Sequence, residues 1–259
     1  MKTFGTTLAL TLLTSGAVHA HAIITMEEDQ RCITSDGVPD HEVGTWRPGA
    51  TVEPQDHRFC MDATPELTGT IARNVRISGI TVTGIPLRPG TAEYYDPSAE
   101  LGWSRDRSSG WNVEGMGGLR MDAQNAHVDG DGMYHYHGIP SAVVDKLEDT
   151  LFGYAADGFE IHYVGAEAQP SWQLKSGERE SGPGGVHDGT YVQDYEFVTG
   201  SGTLDECNGG MRDGRYVYFA TDTYPFFPRC FKGTVSTEFI GGGRGDRPRP
   251  GRDGRRRSP

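Results

Sequence analysis

No apolar run in this 259-residue chain is long enough to cross a bilayer; the longest near its start, Thr6 to Leu13, falls well short of the roughly 20 residues a spanning helix needs. Basic excess is lacking too. The net charge is −12, which argues against a nucleic-acid binder, whose footprint is basic, but leaves cations open as ligands. None of the four cysteines stands in a Cys-x-x-Cys pair, so a thiolate zinc site is disfavoured. There is no Gly-x-Ser-x-Gly elbow. Gly115-Met116-Gly117-Gly118 is followed by no Lys-Ser/Thr pair, which removes the phosphate-loop reading. Asp129-Gly130-Asp131-Gly132 begins like a calcium loop but lacks the later acidic ligands of an EF-hand. Asp205 and Glu206 are adjacent, so on a strand they face opposite ways and form no acid–base dyad.

Turn formers, by contrast, are abundant. With 37 glycines and 15 prolines, the chain reads as mainly β, a single β-rich domain over residues 23–238 with few short helices. The first 22 residues read as a secretory signal: Lys2, the apolar run, then small residues to Ala22. Cleavage could fall after Ala20 or after Ala22. The first choice would leave His21 as an amino-terminal histidine able to chelate copper; Ala20-His21-Ala22 fits the small-x-small pattern better. The protein is thus expected to be secreted or periplasmic, with no membrane span.

Export makes disulfides the expected state of Cys32, Cys60, Cys207 and Cys230. Three connectivities are possible and the sequence does not choose among them; the two sequence-local bridges are favoured. Residues 239–259 read as a disordered basic tail. From Gly241 onward seven arginines stand against two aspartates, a charge of +5.

Along the chain, residues 70–87 alternate apolar with polar and read as two strands broken near Gly79. Ser141 to Asp149, after Pro140, is the best helix pattern. Leu151 to Tyr163 reads as a hairpin around Asp157-Gly158. Further strands are expected over Tyr191–Val198 and Arg215–Ala220, and a Gly-rich loop carrying His187 and Asp188 over 175–190.

The chemistry centres on Gly132-Met133-Tyr134-His135-Tyr136-His137-Gly138-Ile139-Pro140. Side chains alternate across a strand, so His135 and His137 share one face while Tyr134 and Tyr136 share the other. His127 lies just upstream across a polar turn. Three imidazoles in that arrangement suit a divalent transition metal, zinc or copper, the ligands alone not selecting between them. His41 or Asp157 is expected to complete the shell, with Asp129, Asp131, Tyr134 and Tyr136 around it. Three histidines and an open position would support metal-assisted hydrolysis, and copper would support redox work. The alternative is a metal-free extracellular module whose surface aromatics stack on a carbohydrate or peptide.

Tyr134-His135-Tyr136-His137 with Gly138-Ile139-Pro140 resembles the signature of the YHYH-domain proteins. The resemblance extends upstream to Gly37-Val38-Pro39-Asp40-His41-Glu42-Val43-Gly44, Thr83-Gly84-Ile85-Pro86-Leu87 and Asn125-Ala126-His127. Downstream it includes Phe152 to Gly158, Leu204 to Gly209 and Thr221 to Cys230, covering most of residues 33–233. It implies an exported domain and draws attention to His41, but supplies no activity. Relatives often carry a histidine-bearing aromatic strand near the end, where this chain reads Tyr216-Val217-Tyr218, so no metal role carries over from that strand.

Overall fold

The computed structural model describes residues 22–241; the leader up to His21, with the cleavage point after Ala20, and the Arg-rich segment beyond Gly241 lie outside them, whereas Ala22 is the first residue of a strand. A three-stranded antiparallel sheet opens the chain: β1 (Ala22–Glu27), β2 (Gln30–Ser35) and β3 (His57–Asp62), in that order. Cys32 and Cys60 face each other across β2 and β3 and are bonded. The second bridge joins Cys207 to Cys230, so both are the sequence-local pairs. Closing loops of 28 and 23 residues restricts the unfolded chain and adds about 3–4 kcal/mol each on the chain-entropy model. Both bridges are consistent with an oxidising compartment. Among the described residues no helix is long and apolar enough to cross a membrane.

The remaining strands follow as β4 (Gly79–Thr81), β5 (Pro86–Leu87), β6 (Tyr94–Tyr95) and β7 (Trp103–Ser104), then a one-turn helix α1 (Gly115–Gly118). Next come β8 (Ala126–Val128), β9 (Tyr134–Tyr136), the helix α2 (Ser141–Val144), β10 (Leu151–Ala155) and β11 (Glu160–Tyr163). The last are β12 (Trp172–Leu174), β13 (Tyr195–Phe197), β14 (Gly209–Arg212), β15 (Arg215–Ala220) and the helix α3 (Thr237–Gly241). Eight of these strands form one sheet in the order β14-β15-β11-β10-β4-β5-β9-β8; β6 pairs with β7 and β12 with β13. The protein is therefore mainly β with short helices.

The hairpin expected at Asp157-Gly158 is present as β10–β11. Gly158 has φ +90°, and a side chain there would collide with the Asp62 carbonyl, so turn and packing both demand glycine. The alternation over 70–87 gives only the tight β4–β5 pair. Upstream, Asn74 at φ +63° breaks the extended run, and Ala72 makes only an isolated bridge to Phe231. The helix expected to Asp149 stops after one turn: only Val143 is buried, too little packing to offset the cost of extending a short helix. The strand expected over 191–198 begins as a 3-10 turn, Val192–Asp194, before β13.

One large core lies against the central sheet, built from Tyr134, Tyr136, Ile80, Leu87, Phe152, Ile161 and Tyr218, all fully buried. Phe239 in α3 is also fully buried, its ring 5.0 Å from that of Phe59, so the packed body runs through α3.

Candidate metal centre

β9 lies next to the sheet edge, between β5 and β8. Its tyrosines anchor it from behind. The Tyr134 hydroxyl donates to Asp122 at 2.7 Å, and Asp122 in turn accepts the backbone N–H groups of Gln124 and Ala126, folding the turn into β8. The Tyr136 hydroxyl lies 2.6 Å from Nε2 of His41, whose Nδ1 is 2.9 Å from the Glu42 carbonyl. A one-residue slip of β9 would exchange the two faces, and these bonds hold it against that.

The opposite face brings three imidazoles together. β8 pairs with β9 so that His127 stands directly across from His135. The three ring centroids form a near-equilateral triangle with sides of 4.8, 4.9 and 4.8 Å. Nε2 of His137 lies 2.9 Å from Nε2 of His135 and 3.3 Å from Nε2 of His127. Three donors bound at about 2.0–2.1 Å in a tetrahedral shell would stand about 3.3 Å apart, close to the two separations measured from His137 Nε2. Its three potential ligand atoms all fall within 4.8 Å of one another.

The protonation of two rings follows from their acceptors. Nδ1 of His135 lies 3.0 Å from the Met133 carbonyl and Nδ1 of His127 3.3 Å from that of Arg120. A carbonyl can only accept, so both rings carry their proton on Nδ1 and turn a bare Nε2 lone pair inward. A proton on His137 Nε2 could satisfy one of these lone pairs at a time. His135 and His137 are 1 % exposed, and burial, reinforced by neighbouring charges, lowers the proton affinity of all three histidines, that of His135 to about 3. They are neutral at pH 7, the form that ligates metal.

The remaining predicted residues take other places. His41 meets the cluster strand through the tyrosines of its opposite face, bonding Tyr136 and lying near the Tyr134 ring, and does not join the imidazoles. Asp157 is buried elsewhere, accepting from the Tyr218 hydroxyl and the Gly233 N–H, each at 2.8 Å. Asp129 bonds no imidazole. One of its oxygens accepts the N–H groups of Asp131 and Met133, shaping the β8–β9 turn, while the other takes Arg88 at 2.6 Å and Arg76 at 3.1 Å. Asp131 meets Arg76 at 3.4 Å.

Two contributors escaped the sequence reading. Arg88, just beyond β5, donates its backbone N–H to the Tyr136 carbonyl, and its charge depresses all three imidazoles. Gly115 of α1 packs flat on the His137 ring, and a Cβ there would overlap Nδ1. The only sequence signal for the second was a glycine run with no phosphate-loop context. Gly115→Ala is expected to push His137 out of the triangle and lower metal affinity by about 10- to 100-fold, the range seen when groups that orient a ligand are lost. Metal titration with a competing chelator, beside a melting curve to show that the fold persists, checks this.

A family model described as YHYH protein matches residues 58–233, a span that includes His127, His135, His137, Arg88 and Gly115. Comparison with curated proteins and with solved structures found no match.

Proposed function

The chain belongs to the YHYH protein family, and we propose that it is an exported protein that binds one divalent transition metal ion, zinc or copper, through Nε2 of His127, His135 and His137. The single observation that carries this reading is the convergence of three Nε2 atoms, two of them with lone pairs directed inward by carbonyl-held Nδ1 protons. Convergent lone pairs repel unless a cation or proton lies among them. Burial keeps the rings neutral rather than imidazolium, and a neutral imidazole is the form that ligates a metal ion.

His127 is half-buried whereas the other two rings are closed off, so access to the cluster is from the His127 side. Three protein ligands and one accessible side are the pattern of catalytic rather than structural sites, and the ion would supply Lewis acidity for hydrolysis or, as copper, redox capacity. The chain's own residues do the rest: the tyrosines fix the strand, the Met133 and Arg120 carbonyls set the tautomers, and Gly115 lets α1 close over His137.

The test is elemental analysis of protein exported through its own leader, with the mature N-terminus read by mass spectrometry. One zinc or copper per chain is expected. Protein that stays metal-free after incubation with both ions would overturn the reading.

A further inference from the structure

Arg88 is an unusual neighbour for a cation site, and its position follows from the strand register. Leu87 of β5 pairs in parallel with Tyr136 of β9, so their side chains share a face. Arg88, the next residue, therefore projects to the face that carries His135 and His137. Its side chain runs along that face to Asp129, which one Nη meets at 2.6 Å, and is only 14 % exposed. Among the described residues, its Nε and second Nη have no hydrogen-bond partner. The one carboxylate it meets is shared with Arg76, so Asp129 serves two guanidinium groups. A divalent ion added beside them would leave the region net positive, even with Asp131 and Glu93 counted. A half-used guanidinium fork beside an open-sided metal is the pairing that recognises a planar or tetrahedral oxyanion.

We infer that the exchangeable ligand or substrate of this site is a small oxyanion, of carboxylate or phosphate type, held between the metal ion and the free edge of Arg88. This rests on the proposed metal binding. The anion would take the accessible side of the ion with one oxygen and accept from Arg88 with another, and a neutral molecule of the same shape would lack the second interaction.

The experiment uses the full chain loaded with cobalt(II), whose visible bands report ligand exchange. It is titrated with acetate, inorganic phosphate and, as the neutral counterpart, acetamide. Acetate or phosphate should shift the bands saturably while acetamide does not, and Arg88→Gln should keep its cobalt yet weaken anion affinity about tenfold or more, the worth of a hydrogen bond to a charged group. Should Arg88→Gln lose cobalt or fail to fold, Arg88→Lys decides: it keeps a cation for Asp129 but not the fork, and a several-fold weaker anion response is expected. Anion affinity unchanged in the cobalt-loaded variant, or an equal response to acetamide, overturns the oxyanion inference and leaves the metal site standing. A wild-type protein that takes up no cobalt overturns both.

Discussion

Replacing His135 and His137 together by alanine is expected to reduce affinity for zinc or copper by far more than roughly a hundredfold, the upper range for losing an orienting group alone. Two of three inward nitrogens disappear, and His127, half-exposed on the edge strand β8, is left as a single imidazole. A lone imidazole on a surface binds divalent ions weakly, so the variant should behave as a metal-free protein in a chelator competition. Stability of the metal-free form should move much less. The variant also removes the buried imidazole contact at 2.9 Å, whose polar atoms are costly to bury without an ion. Holo wild type should melt well above apo, because an ion that binds only the native state stabilises it by mass action, and the variant should lose that increment. If the variant kept metal at wild-type affinity, the ligands would have to lie elsewhere.

The second large effect lies at Asp194, the anchor of the loop over 175–190. Asp194, fully buried, accepts Nε and Nη2 of Arg179 at 2.7 Å each, Nδ1 of His187 at 3.0 Å, and the N–H groups of Gly189 and Tyr191 at 3.0 and 3.1 Å. Arg179 is itself 5 % exposed and lies over the Tyr191 ring. Asp194→Ala would leave a buried guanidinium and two backbone donors short of their acceptor, and is expected to cost about 3–5 kcal/mol. The damage should reach the histidine cluster, since Thr190 accepts the Glu114 N–H and Gly117 packs on the Gly189 carbonyl, which together seat α1 against His137.

The same carboxylate sets a pH dependence. Burial alone would raise its pKa, but the Arg179 and His187 hydrogen bonds outweigh that and hold it at about 2, below the ordinary 3.8. A depressed carboxylate means that between these values the unfolded chain binds more protons than the native one. Its stabilisation is therefore complete above pH 3.8 and is lost as pH falls toward 2. Urea unfolding at neutral pH should show the full loss in Asp194→Ala, and the gap to wild type should narrow through the acid window.

The residues differ in how far they could be read beforehand. A period of two was enough to put His135 and His137 on one face and the tyrosines on the other, because strand alternation is local geometry. The β10–β11 hairpin and both sequence-local bridges were likewise within reach, since each joins segments close in the chain. Contacts set by tertiary packing were not. His41 meets Tyr136 across 95 residues, and nothing in Pro39-Asp40-His41 says which face of β9 it approaches. Arg88 reaches the cluster through a parallel β5–β9 pairing that no short-range pattern encodes. Gly115 matters for the side chain it lacks, a requirement visible only once His137 is packed against it. The pattern at 141–149 misled because apolar spacing without burial does not sustain a helix.

The most direct measurement is X-ray absorption at the metal edge of full-length protein loaded with one equivalent of zinc or copper and then dialysed. Retained metal with three imidazole nitrogens at about 2.0–2.1 Å is the result expected. Metal lost on dialysis, or a shell of oxygen ligands with fewer than two imidazoles, would contradict the assignment of His127, His135 and His137 as its ligands.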